Sequence, residues 1–316
     1  MNIVKKNKLI GVLLLIIIYI VATVIGIIFY RVFNKVDTIW RILICDLIAT
    51  VFVWFAGLIL HTSSTYDPYW SLQTIVIGIL LTASRNNWNP GNIIFSLIIF
   101  IYSARLTANF ISTFSNLNYE DWRYRNLKQR FGKWYIFIDL FGICLMPTAI
   151  VFFASVPYFE YILQNMQYEN IQLIGFVIIG CSIIVESISD YQMHSFIKKR
   201  NTNAEICRNG LWKNTRHPNY LGEIGVWFGI MLVYAVMNHH SYVIYIGIIF
   251  IYLLFRFISI PMAEKHYMEY KKDFKQYRHE TFALIILPFG KSLKRNGHVD
   301  WKNDFLISIL FWLLFL

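Results

Sequence analysis

Eight uninterrupted apolar runs, most of them about as long as a bilayer is thick, limit what this chain can fold into. They cover 9–30, 38–60, 70–83, 91–114, 135–157, 171–189, 220–238 and 242–260. A helix needs about 20 apolar residues to cross the hydrocarbon core. In lipid, every backbone N–H and C=O must be paired within the protein, which leaves helices or closed barrels. Barrel strands alternate apolar and polar residues, and these runs do not. Composition agrees, since 57% of the residues are hydrophobic against about 45–50% in soluble domains. The expectation is an all-α integral membrane protein with about eight transmembrane helices, the one at 70–83 being short. The first run follows Lys5, Lys6 and Lys8. It is longer than the apolar region of a signal peptide and lacks a small-residue cleavage site, so it reads as a retained helix. The apolar stretch 305–316 is too short to span and reads as an interfacial or packed helix.

Charge orients these helices. The segments 115–134, 190–219 and 261–304 are rich in Lys and Arg, among them Arg123, Arg125, Arg200, Arg208, Lys271 and Arg278, whereas 158–170 and 239–241 have none. Basic loops stay cytoplasmic, so eight helices with the N and C termini cytoplasmic satisfy every loop. A formal net charge of +11 would suggest nucleic acid in a soluble protein. Here positive-inside topology and anionic membrane lipids account for it, and a polyanionic cofactor would add to it. No nucleic-acid partner is expected. Cys45, Cys144, Cys181 and Cys207 show neither metal-ligand nor disulfide spacing, and no metal site is expected. The chain divides into a first transmembrane helix and loop (1–37), a helical membrane domain (38–290) and a tail with a short apolar helix (291–316).

With that topology, several polar residues fall at one cytoplasmic depth. They are Asp67 in the loop 61–70, Tyr102 and Arg105 on the fourth run, Glu186 and Asp190 ending the sixth, Asn219 and Glu223 beginning the seventh, and Arg256 in the eighth. Tyr102 and Arg105 are spaced i, i+3; Glu186 and Asp190, like Asn219 and Glu223, are spaced i, i+4. Each pair therefore shares a helix face. Charged groups inside a membrane are costly and mark function more often than not. The densest concentration is Gly210-Leu211-Trp212-Lys213-Asn214-Thr215-Arg216-His217-Pro218-Asn219-Tyr220-Leu221-Gly222-Glu223, which brings a cation, an imidazole, an amide, a phenol and a carboxylate to the mouth of one apolar run. Bland readings compete elsewhere: Arg105 snorkelling to headgroups, Asp67-Pro68 as a turn, Tyr102 as a packing tyrosine.

The block 210–223 resembles the C-terminal signature of the steroid 5-alpha-reductase-like membrane family, above all its bacterial-type branch, DUF1295. Glu186-x-x-x-Asp190-x-Gln192 with Phe196, Tyr102-x-x-Arg105-Leu106 followed by Tyr119-Glu120-Asp121-Trp122-Arg123-Tyr124, and Tyr66-Asp67-Pro68-Tyr69-Trp70-Ser71 resemble further segments of that family in the same order. The resemblance covers about 40–290. It implies a helical membrane fold that encloses NADPH and reduces a carbon–carbon double bond conjugated to a carbonyl in a lipophilic substrate. It implies cofactor-binding roles for Arg105, Asp190, Asn219, Tyr220 and Glu223, with Arg208 and Arg216 facing phosphates; Glu186, His217 and Arg256 are further cofactor-binding candidates. Tyr102 falls where the tyrosine that holds the substrate carbonyl is expected, with Asp67 nearby to orient it. Such a hydroxyl stabilises the enolate that forms on hydride addition. No soluble-type GxGxxG fingerprint is present. Glu186 departs from the asparagine usual in steroid enzymes, and the run from Tyr277 and Thr281 to Pro288 is long.

Two other readings remain. Isoprenylcysteine methyltransferases share Arg-His-Pro-x-Tyr-x-Gly and use S-adenosylmethionine, but their pattern usually lacks Asn219 and Glu223 and has a downstream Glu-Glu pair where this chain reads Glu264-Lys265. A non-enzymatic transporter or scaffold is the second, and no matched halves with broken helices support a transporter. The absence of a transit or retrieval signal suits a bacterial inner membrane with the active site towards the cytoplasm, or the ER membrane in a eukaryote.

Overall fold

A computed structural model describes residues 7–237 and 242–284. The proposed tail helix at 305–316, Pro288, His239 and His240 lie outside them. The elements are α1 (Lys8–Val32), α2 (Thr38–Leu60), α3 (Tyr69–Arg85), α4 (Pro90–Thr113), α5 (Trp122–Phe131), α6 (Met146–Leu163), α7 (Leu173–Lys199), α8 (Pro218–Ala235), α9 (Val243–Leu253), α10 (Ile260–Tyr270) and α11 (Phe274–Glu280). There is no β-strand among the described residues, only an isolated bridge between Thr215 and Phe282.

Six helices among the described residues are long and apolar enough to cross a membrane: Lys8–Val32, Thr38–Leu60, Pro90–Thr113, Trp122–Leu163, Asn170–Lys199 and Val243–Tyr270. The chain is therefore an integral membrane protein. The other two expected runs do form helices, but they fall short. α3 has 17 residues, and α8 has 18, opening on Pro218, Asn219, Tyr220 and Glu223.

Local chemistry fixes the ends. Asn7, Asp37, Asn89 and Asp121 cap α1, α2, α4 and α5 through side-chain oxygens that accept first-turn amides. Two π-helical turns interrupt long spans, Ile138–Leu145 before α6 and Leu254–Ser259 before α10. Each is followed at the second residue by proline, Pro147 or Pro261. In both, the residue before the proline donates five positions back, Met146 to Phe141 and Ile260 to Phe255. The proline ring crowds the carbonyl four residues before it, and the wider π turn relieves that crowding.

The chain separates into two compact units, 1–172 with 234–247 and 173–233 with 248–316. In the first, α1 packs on α2 through Ile18, Ala22, Ala49 and Val53, so the first helix is part of this unit. His61 ends α2 in the left-handed region, and the chain then turns back along α2. A Cβ on Gly57 would lie 2.6 Å from Thr65 Oγ1. Further on, Tyr66 bonds Thr148, Tyr69 donates to Asp46, and Thr74 bonds Ser155. The stretch 62–66, read from sequence as a cytoplasmic loop, is thus buried throughout. Its hydroxyls bond Tyr119 O, the Asp121 amide, Tyr135 and, on α6, Thr148, which is what lets irregular backbone persist inside a membrane protein.

In the second unit, α7 and α8 cross on small residues. A Cβ on Gly225 would lie 2.3 Å from Ser182 Oγ, one on Gly229 2.6 Å from Ile179, and one on Gly175 2.6 Å from Val233. Small residues at such spacing let helix backbones approach closely.

Candidate functional site

The block 210–223 is built on the face of α7 that presents Ser182, Glu186, Ser189 and Gln192. Gly210 adopts φ +58°, and a Cβ there would lie 2.2 Å from Gln192 Nε2, so both conformation and space require glycine. Gln192 Oε1 accepts from Leu211 N at 2.9 Å, and Trp212 Nε1 donates to Ser189 O at 3.0 Å. Gly222 then seats α8 on α7, where a Cβ would lie 2.8 Å from Glu186 Cβ. Glu186 and Glu223 are both buried, and Asp190 is half-buried. Glu223 Oε1 accepts from Trp227 Nε1 at 3.0 Å. Asn219 Oδ1 is buried without a hydrogen-bond partner among the described residues. Two buried carboxylates and an amide oxygen thus gather within one turn of the Gly222 crossing.

On the other side of Pro218 lies an ionic hub. Arg216 Nε donates to Glu264 Oε1 at 2.7 Å, Arg278 Nε approaches Glu264 Oε2 at 3.0 Å, and His217 Nε2 lies 3.3 Å from Glu264 Oε1. Arg216 Nη1 also donates to the carbonyls of Arg278 and Thr281. The segment 281–284 is strapped on top. Arg216 N donates to Phe282 O, His217 N to Ala283 O and Phe282 N to Asn214 O. Below it, Tyr277 OH donates to Trp212 O at 2.5 Å, and burial holds its phenol well above the usual range. The His217 ring lies flat on Tyr220, with centroids 5.1 Å apart and planes at 4°, and Tyr220 contacts Phe255 of the π turn. Arg256 is the next residue, half-buried.

The remaining sequence candidates sit in the first unit. Tyr102 is 1% exposed on α4, and Arg105 is half-buried one turn on. The Asp67 carboxylate, expected near Tyr102, accepts from Tyr124 OH at 2.5 Å. The reason is an interlock between the stretches 62–67 and 119–124. Thr62 bonds Tyr119 O, Ser63 N bonds Glu120, Ser64 Oγ accepts from Asp121 N, and Asp67 bonds Tyr124, each pair separated by 57 residues. Burial raises Asp67 from the usual carboxylate range to about 6, against the lowering pull of Arg123 and the Tyr124 hydrogen bond.

Arg208 and Arg216, expected at phosphates, have carboxylate partners inside the fold: Arg208 Nη1 lies 2.5 Å from Glu280 Oε2, and Arg216 is bound to Glu264. Sequence reasoning passed over Glu264, Arg278 and Tyr124. A carboxylate one turn past the last apolar run, 242–260, was the available signal for Glu264, since such a group at a membrane boundary needs a cation. There is no cluster of metal-ligating side chains among the described residues.

A family model described as a protein of unknown function, DUF1295, matches residues 53–281. The chain belongs to the DUF1295 family. The match takes in the interlocked stretches of the first unit and the block and hub of the second, and it ends at Thr281, where the strap begins. No curated protein and no solved structure matches.

Proposed function

We propose that this DUF1295 protein is a membrane-embedded reductase that uses NADPH on a carbon–carbon double bond conjugated to a carbonyl in a lipophilic substrate. The observation that carries the reading is the acceptor set around the Gly222 crossing: Asn219 Oδ1, buried and without a partner among the described residues, beside buried Glu223 and Glu186. Such oxygens suit ribose hydroxyls and carboxamide N–H groups, which donate hydrogen bonds. The residues present therefore fit the nucleoside part of a dinucleotide. Asn219, Glu223, Glu186 and Asp190 would hold those groups.

When bound, NADPH would supply the hydride. The chain's own part is to bind, to keep water out with apolar helices, and to donate a hydrogen bond to the carbonyl oxygen as negative charge develops there. The family resemblance gives that donation to Tyr102. The same reading runs all eight helices across a bacterial inner membrane, with both termini and the cofactor site towards the cytoplasm.

The test is a thermal-shift titration of detergent-purified full-length protein with NADPH, NADH and S-adenosylmethionine side by side. NADPH should stabilise most, and Glu223→Gln and Asn219→Ala should weaken that effect while membrane insertion is kept. Stronger stabilisation by S-adenosylmethionine would transfer the site to a methyl-transfer reading. Unchanged NADPH affinity in both variants would remove Asn219 and Glu223 from it.

A further inference from the structure

Some cations of the second unit are paired with acids and others are not. Arg208, Arg216 and Arg278 each lie against a carboxylate, Glu280 or Glu264. Arg200 and Lys271 have no carboxylate partner among the described residues, although the fold draws them together. Arg200 is half-buried just past the end of α7. Lys271 closes α10, and its Nζ donates to Glu205 O at 2.9 Å. The side chain of that same Glu205 accepts from Asn201 N and Thr202 N, both at 2.9 Å. Two hydrogen-bonded links thus tie Lys271 to the turn that starts at Arg200. Tyr267 and Tyr270 flank the ammonium, with ring centroids 5.1 and 5.9 Å away.

A cation at each helix C-terminus is favourable by itself, because it faces the negative end of the helix dipole. That does not explain why two of them converge. Burial holds the Lys271 ammonium below its ordinary range, and the Arg200 charge adds to that lowering. The nearest acid, Glu205, is occupied by backbone amides. A guanidinium at the start of this turn and a partly desolvated ammonium tied to it suit a phosphate monoester, which takes charge-assisted hydrogen bonds from both.

We propose that Arg200 and Lys271 form a phosphate-monoester site which, on the NADPH reading, takes the 2′-phosphate that distinguishes NADPH from NADH. The inference rests on that reading for the source of the phosphate, but not for the anion site itself. It also assigns discrimination to residues other than Arg208 and Arg216, the pair expected from sequence.

The experiment titrates detergent-purified full-length protein with NADPH, NADH and inorganic phosphate, using wild type, Arg200→Gln, Lys271→Gln, the charge-conserving Arg200→Lys and a control, Lys198→Gln. The expected result is an NADPH-over-NADH preference that falls about tenfold or more in each Gln variant, the scale of one hydrogen bond to a charged group. NADH affinity should be unchanged, Arg200→Lys should recover part of the preference, and Lys198→Gln should match wild type. A preference that survives both Gln substitutions overturns the site while leaving the reductase reading intact. If NADPH does not bind but phosphate stabilises wild type and neither Gln variant, the cofactor reading falls and the anion site stands. Vesicles with and without phosphatidic acid then show whether a lipid headgroup is its source. If neither NADPH nor phosphate has any effect on wild type, both are overturned. A Gln variant that does not fold leaves the other variant and Arg200→Lys to decide.

Discussion

Replacing Glu264 with alanine should unfold the second unit more readily than any other single change in its ionic hub. The carboxylate is 5% exposed and faces Arg216, itself 6% exposed, at 2.7 Å, with Arg278 at 3.0 Å and His217 at 3.3 Å. Removing it takes from the buried guanidinium of Arg216 the carboxylate it bonds, a change that costs about 3–5 kcal/mol. Arg216 keeps two carbonyl acceptors, Arg278 O and Thr281 O, which points to the lower end, about 3 kcal/mol. At about 2–4 °C per kcal/mol for a domain of some 150–250 residues, melting should fall by about 6–12 °C. Arg278→Ala is the internal comparison. Its side chain is 45% exposed, so water screens the pair and the loss should be about 1 kcal/mol or less. The double variant Glu264→Leu/Arg216→Met removes both buried charges and should lose less than Glu264→Ala alone. Thermal melts followed by intrinsic tryptophan fluorescence in one detergent would compare all three. An equal, small drop for Glu264→Ala and Arg278→Ala would refute the claim that a desolvated charge holds the hub together.

Further expectations follow from other elements. The folded-state value of Asp67, about 6, lies above the unfolded carboxylate value of about 4, so its contribution is fully present below pH 4, is lost as pH rises to about 6, and stays flat above. The melting temperature of Asp67→Asn minus that of wild type should therefore rise between pH 4 and 6; a flat difference would show that Asp67 titrates normally. Gly210→Ala should destabilise by about 1 kcal/mol or more, because φ is +58° and Gln192 fills the space. Pairing it with Gln192→Ala should recover only the steric part, and full recovery would mean that backbone conformation contributes nothing. Tyr102→Phe should lower turnover more than NADPH binding once a substrate is in hand; wild-type turnover would remove Tyr102 from the chemistry.

Much of the helical framework could be read from local sequence. Apolar runs gave the helices because lipid admits little else, and Asn7, Asp37, Asn89 and Asp121 marked their starts. The shortness of α3 was visible too, but its cause was not. The hydroxyl-rich residues 62–66 look like a solvent loop, and only their pairing with Tyr119, Asp121, Tyr135 and, on α6, Thr148 shows them to be interior. The block 210–223 stood out through its composition, whereas its support did not. Glu264 lies 48 residues from Arg216, Tyr124 lies 57 from Asp67, and no local pattern announces a pairing over such distances.

What the sequence alone determined is therefore the class of the protein and the chemical alphabet of its block: an all-helical membrane chain with an amide, a phenol and a carboxylate opening α8. These follow from period, length and composition, which are local quantities. Tertiary structure decided which charges are already paired. It bound Arg216 and Arg278 to Glu264, Arg208 to Glu280 and Asp67 to Tyr124, and it left Arg200 beside Lys271 without an acid. Pairing depends on which helices touch and at what level, and a charge read along the chain carries no record of either.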